Sequence, residues 1–314
     1  MSELNIKLAE QLTRIKEQRD ILIPNSMDEA CERYVKDLRF ILDRDIVHNN
    51  PVLMLSGGVD SFLLGCILKE HYGLKRAITC GSAKDTSDIM VSQDSAQQLG
   101  VLQEMVFVTW DEVIDNLPLI REKDIANVFD VVYYLTFYLC LQKTSVKDTD
   151  LVQGDGADTL LGSIQSFMYM DSSRVMNYFD VTRSTAKTLL KQNFYNNMLL
   201  YPERRWGAGH LFADAANELG ANPIMAFKNP DILRWVNDLD FQFANPDKKL
   251  LPKEMIRHLG YDETKVKRTI MQQGTGLYDK MKEHMMQLTG AKSPNGAVKK
   301  YMNENHSPLP GYEG

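Results

Sequence analysis

The chain has 314 residues, 44% of them hydrophobic and 25% charged, with a formal net charge of −6. That composition suits a globular chain large enough for two lobes with their own cores. It argues against nucleic acid as the main partner, because such binding neutralises phosphates with Lys and Arg. No apolar run reaches the length of a membrane span, and the N-terminus carries no signal-peptide core. The four cysteines, Cys31, Cys66, Cys80 and Cys140, form no CxxC pair and no metal-ligand spacing. A cytoplasmic, reducing setting is expected.

Leu4, Leu8, Leu12 and Ile15 fall on one face of a first helix. Pro24-Asn25-Ser26 breaks it, and Ser26 or Asp28 can cap a second helix running to about Leu42. From Pro51 strands alternate with helices: strand 52–55, helix 61–71, strand 76–80, helix 87–99, strand 104–108, an apolar helix over about 125–142, and strand 150–153. The alternation predicts an α/β fold, a parallel sheet with helices on both faces. Ligands of such sheets bind beyond the carboxyl ends of the strands. Segments 56–61, 81–85, 109–111 and 154–158 fall there and are expected to share one site.

Beyond about residue 165 the strand pattern fades, and helical periodicity covers 171–199, 207–220, 229–239, 252–259 and 276–289. The tail from Ser293, with Pro294, Gly296, Pro308, Pro310 and Gly311, is predicted to be irregular. The expected division is an N-terminal helical segment 1–48, an α/β domain 49–168, a helical lobe 169–292 and a tail 293–314.

The most informative segment is Leu55-Ser56-Gly57-Gly58-Val59-Asp60-Ser61, between an apolar strand and a buried helix. A strand, a glycine turn and a helix start make an anion cradle, because unpaired N–H groups and the positive end of the helix dipole face the same point. The glycines let the main chain come close to a phosphate. Ser56 and Ser61 can add hydroxyl donors, and Asp60 can hold a magnesium ion. No Gly-Lys-Ser/Thr follows, so this is not the lysine-containing loop of P-loop NTPases.

The segment resembles the pyrophosphate-binding loop of the ATP pyrophosphatases, which cleave ATP between the α and β phosphates. A second motif narrows the resemblance. Gln153-Gly154-Asp155-Gly156-Ala157-Asp158-Thr159-Leu160-Leu161-Gly162 resembles the Ser-Gly-Glu-Gly-Ala-Asp-Glu-x-x-Gly-Gly segment of asparagine synthetases. Asp155 stands where that family has a glutamate tied to acid–base work, one methylene longer, and Thr159 stands where a second acid is usual. A third segment, Lys265 to Gly276, resembles the family's basic residue followed by an apolar patch and Gly-x-Gly. Spacing to Gly274 gives Arg268 the family's lysine position, and a one-residue slip gives Lys267. Pro223-Ile224-Met225-Ala226-Phe227 matches the family's Pro-Phe-Leu-Asp stretch loosely.

The resemblance implies a sheet of the adenine nucleotide alpha hydrolase (HUP) type, with ATP and Mg2+ as the reaction's needs. ATP would contact Leu55, Ser56, Gly57, Gly58, Asp60, Ser61, Cys80, Gly81 and Gly154. Asp60 and Asp158 would hold the magnesium, while Asp155 and Lys267 or Arg268 would carry the chemistry. The implied activity is amide-forming ligation: a small-molecule carboxylate is adenylated, then attacked by ammonia or another amine. Glutamine-dependent members begin with a glutaminase domain, and the roughly 50 residues before the loop leave no room for one. Nitrogen is therefore expected as ammonia, as another amine, or from a separate donor protein. Two other readings stay open: an ATP pyrophosphatase that modifies a nucleotide or nucleobase, and a non-catalytic ATP-binding relative.

Overall fold

The computed structural model describes residues 26–157, 209–229, 250–266 and 276–303 of the chain. The chain divides into two compact units. The sheet unit comprises Asp45–Gln153, Gly207–Ile224 and Asp262–Gly314, and the other comprises Met1–Arg44, Gly154–Trp206 and Met225–Tyr261.

In the sheet unit, β1 (Pro51–Met54) leads to α2 (Val59–Tyr72), β2 (Arg76–Gly81), α3 (Ser87–Leu99) and β3 (Leu102–Phe107). Then come α4 (Trp110–Asp115), a 3-10 turn over Leu117–Glu122, α5 (Val128–Gln142) and β4 (Asp150–Val152). After residues outside the description, α6 (Gly209–Glu218) and β5 (Asn222–Ile224) follow, and α8 (Tyr278–Thr289) and α9 (Pro294–Asn303) end the unit. The other unit holds α1 (Met27–Asp45), all but its last residue, and α7 (Leu250–His258).

The five strands are all parallel, in the order β3-β2-β1-β4-β5. This is the α/β architecture expected from the alternating pattern. Strand β1 has neighbours on both sides and is buried at all four residues, which is why it reads as an unbroken apolar run. Strand β3 is an edge, with Leu102 71% exposed, and its polar residues follow from that. Strand order reverses between β1 and β4, the switch point where the carboxyl ends open a crevice.

The opposite end of the sheet is tied by one buried carboxylate. Asp150 accepts hydrogen bonds from the N–H groups of Val47 (3.0 Å), His48 (2.9 Å) and Asn50 (3.4 Å), and from Asn222 Nδ2 (2.8 Å). This anchor fixes the entry to β1 and joins β4 to β5.

Helix α1 begins as its sequence predicts. The Glu29 N–H donates to Ser26 Oγ at 3.2 Å, and Ala30, Cys31, Tyr34, Leu38, Ile41 and Leu42 line its buried stripe. Two elements depart from expectation. Strand β5 falls between the helices expected over 207–220 and 229–239, where no strand was expected; its three residues include a proline, which an edge strand tolerates. Helix α9 falls within the tail predicted to be irregular. There Ser293 takes the cap, with its Oγ accepting from the Gly296 N–H at 3.2 Å, and Pro294 is the first helical residue. A proline at that position starts a helix rather than breaking one. The helices expected over 4–15, 171–199 and 229–239 lie largely or wholly outside the described residues.

Candidate nucleotide site

The loop leaving β1 is built on Leu55, buried, whose N–H donates to the Ile78 carbonyl at 2.8 Å and whose carbonyl accepts from Thr79 Oγ1 at 2.7 Å. Both contacts fix the strand end just before the turn. Gly57 then takes φ +74, and a Cβ there would lie 2.7 Å from Ser92 N and 2.9 Å from the Val91 carbonyl carbon. Glycine is needed at this position for two reasons, the backbone angle and the close approach of α3. Gly58 differs: at φ −75 and ψ 153 it has extended angles open to any residue. The two glycines expected to share one role therefore divide it.

Gly58 caps α2 without any side-chain hydrogen bond to the helix end. The first intrahelical bond runs from the Phe62 N–H to the Gly58 carbonyl at 3.1 Å. The N–H groups of Val59, Asp60 and Ser61 have no acceptor within the helix, and the positive end of the helix dipole lies among them. Asp60 stands half-buried in this first turn.

The serine hydroxyls have a different job from the one expected. Ser61 Oγ donates to the Gly58 carbonyl at 3.0 Å and accepts from the Ser56 N–H at 3.3 Å. Ser56 Oγ lies 3.2 Å from Ser61 Oγ and accepts from the Gly58 N–H at 3.4 Å. Together these contacts close the loop as a ring of hydrogen bonds. Ser61, only 5% exposed, is a strut of the loop rather than a donor aimed outward.

Cys80 and Gly81 end β2. The Cys80 thiol donates to the Thr136 carbonyl on α5 at 3.7 Å, so its side chain faces the core. A Cβ on Gly81 would lie 2.5 Å from Thr86 Oγ1 and 2.7 Å from Ile89 Cγ1, so this position serves the packing of α3. Gly276, at φ +75, approaches the same loop: a Cβ there would be 3.1 Å from Ser82 Oγ. Lys267, Arg268 and Gly274, just before it, lie outside the described residues, as does Asp158.

The segment 109–111, expected to contribute to the site, is a helix cap. Thr109 Oγ1 accepts from the Glu112 N–H at 3.3 Å, and Glu112 Oε2 accepts from the Thr109 N–H at 2.8 Å. The Lys143 ammonium beside Glu112, followed by the Thr109 N–H, holds that carboxyl below the usual range. His210 is likewise structural: its Nε2 lies 3.2 Å from the Asp124 carbonyl oxygen.

Gln153 closes the sheet side of the second motif. It is 6% exposed, and its Nε2 donates to Tyr133 Oη at 2.7 Å. In the other unit, Gly154 is half-buried and Asp155 follows. The Gly156 N–H donates to Asp155 Oδ1 at 2.9 Å, and Lys228 Nζ lies 2.6 Å from Asp155 Oδ2. Lys228 and Gln153 were not singled out from the sequence. The signal available for Lys228 was its place directly after the loosely matching 223–227 stretch. Among the described residues, no group of three His, Cys, Asp or Glu side chains could hold a metal ion.

A five-stranded parallel sheet in this order, with a glycine turn and a glycine-capped helix start at its switch point, defines an α/β protein of the HUP type. The chain belongs to the asparagine synthase family, whose profile matches residues 44–272. That family is one of ATP-dependent synthetases. No curated protein matches the chain in sequence.

Proposed function

We propose that this chain is an AMP-forming carbon–nitrogen ligase. The observation that carries the reading is the Gly57 turn that leads from the end of β1 into the start of α2, where the positive end of the helix dipole lies. ATP binds there as substrate, along Leu55, Ser56, Gly57, Gly58, Asp60 and Ser61, with its base against the backbone of Cys80 and Gly81. Gly154 lets the chain approach the nucleotide closely.

Asp60, a half-buried carboxylate and a hard oxygen ligand, and Asp158 would hold a magnesium ion. The ion supplies screening of the phosphate charge. A substrate carboxylate attacks the α-phosphorus, the bond to the β-phosphate oxygen breaks, and pyrophosphate leaves. Lys267 or Arg268 offsets charge on the phosphates. Ammonia or another amine then attacks the acyl carbon, AMP leaves, and Asp155 takes the proton from nitrogen. The nitrogen arrives free or from a separate donor protein.

The test is product analysis with ATP, magnesium and a panel of amino acids, with and without ammonium. Carboxylate-dependent AMP and pyrophosphate, with amide only when ammonium is present, is the expected outcome. ADP as the nucleotide product, or no AMP with any acid despite ATP binding, would sink the reading and favour a nucleobase-modifying enzyme or a non-catalytic binder.

A further inference from the structure

Asp155 accepts a hydrogen bond at one carboxylate oxygen and meets a cation at the other, without a hydrogen bond there, and the two contacts have different origins. Its Oδ1 accepts from the next residue's N–H, whereas the Lys228 contact to Oδ2 comes from far along the chain. Lys228 closes the 3-10 turn Ala226–Lys228, with its N–H donating to the Met225 carbonyl at 2.9 Å, and the fully buried Phe227 anchors that turn. The lysine stem passes where Gly156 carries no side chain. A Cβ on Gly156 would lie 2.8 Å from Lys228 Cγ and 3.4 Å from the Phe227 carbonyl oxygen. Gly156 also holds φ +96, a backbone angle that side chains disfavour. The glycine makes a slot, Phe227 fixes the turn, and the lysine fills the slot and reaches the aspartate. With 18% of the Lys228 side chain and 32% of the Asp155 side chain exposed, the pair is more sheltered than an ordinary surface ion pair.

We propose that Lys228 is a positioning residue for Asp155, fixing the carboxylate for proton transfer during amine attack. The proposal rests on the ligase reading above. In that step the N–C bond forms, the C–O bond to AMP breaks with its electron pair leaving on AMP, and the nitrogen proton passes to Asp155. Aspartate is one methylene shorter than the family's glutamate, and the fixed lysine compensates by holding it in one orientation. Lys228 does not act in adenylation.

The test uses the full chain carrying Lys228→Met or Lys228→Arg, with the two half-reactions read separately. Hydroxylamine traps the acyl-adenylate as a hydroxamate and reports adenylation, and ammonium-dependent amide reports the second step. Lys228→Met is expected to keep hydroxamate formation within about twofold and to lower amide formation about tenfold or more, on the scale of general acid–base contributions. Lys228→Arg should recover much of the amide rate. An equal fall in both half-reactions, or no fall in amide, overturns the proposal. If the unmodified chain forms no AMP with any acid, the ligase reading fails first, and the pair is tested without substrate. Thermal unfolding of Lys228→Met, Asp155→Asn and the double variant should then give losses that do not add, and fully additive losses refute the pairing itself.

Discussion

Gly57 and Gly156 both follow the carboxyl end of a strand at positive φ, +74 and +96, yet a side chain at each meets a different obstacle. At Gly57 the obstacle is the backbone of Val91 and Ser92, part of a packed helix that cannot yield. At Gly156 it is first the stem of Lys228, a flexible chain that can swing away. The first turn is closed by hydroxyls of residues within the same short segment, Ser56 and Ser61. The second is closed by a charge from a distant turn. One turn is a rigid mould, closed by its own hydroxyls and backed by the helix backbone of α3. The other is an adjustable clamp whose setting depends on a tertiary contact.

The largest expected effect comes from breaking the mould. Gly57→Ala combines a disfavoured backbone angle, about 1–2 kcal/mol, with overpacking against helix backbone, about 1–3 kcal/mol. Denaturant titration should show a loss of about 3 kcal/mol, and ATP should no longer raise the melting temperature. A variant that melts like the parent and still gains stability from ATP would show that the turn is not the cradle.

Breaking the clamp should cost less stability and act elsewhere. Gly156→Ala is expected to lose about 1–2 kcal/mol from its backbone angle, because the lysine can move aside. It should leave ATP-dependent stabilisation intact while displacing Lys228 from Asp155. If ATP binding weakened as much as in Gly57→Ala, the two turns would not differ in the way their contacts suggest.

Ser61→Ala sharpens the description of the mould. Removing a buried hydroxyl that donates to Gly58 and accepts from Ser56 should cost about 1–2 kcal/mol. Ser56→Ala should cost less, since the Ser61-to-Gly58 strut survives it. Urea unfolding curves for the two variants decide the order, and the reverse order would assign the strut to Ser56.

The smallest effect concerns a group outside both turns. Burial raises the Asp130 carboxyl above the usual range, against hydrogen bonds from the Ala126 N–H and Asn127 and the nearby His210. A carboxyl raised on folding contributes stability that is present in acid, below its unfolded value, and lost as pH rises through its folded value. Asp130→Asn should therefore flatten the stability–pH curve in the window just above the ordinary carboxylate range. A curve unchanged in that window would show that Asp130 titrates alike in both states. Neither turn should respond to the change, since Asp130 lies in the first turn of α5, where its N–H donates to the capping Asn127 Oδ1.

Much of the sheet unit was legible because its signals are local. The buried run of β1, the alternation of strands and helices, and the stop of α3 at Gly100 each depend on a few adjacent residues. The cap of α1 was legible to two candidates, Ser26 and Asp28, for the same reason, and the structure gives Ser26. Strand β5 was not, because three residues carry no periodicity and only pairing with β4 makes them a strand. Helix α9 was misread because proline punctuates in two ways, and the packing of Ala297, Val298 and Tyr301 decides between them.

By itself the sequence determined the family, the parallel α/β architecture and the place of the Ser56–Ser61 loop. Those follow from backbone propensity, apolar patterning and short-range spacing, all written along contiguous chain. Only the tertiary structure decided that Gly57 and not Gly58 is the strained glycine, since the approach of α3 sets that requirement. It also decided that the Ser61 proton is spent inside the loop, and that Asp155 has a lysine partner. Hydrogen-bond direction and charge pairing depend on where distant side chains come to rest, and linear spacing carries no record of that.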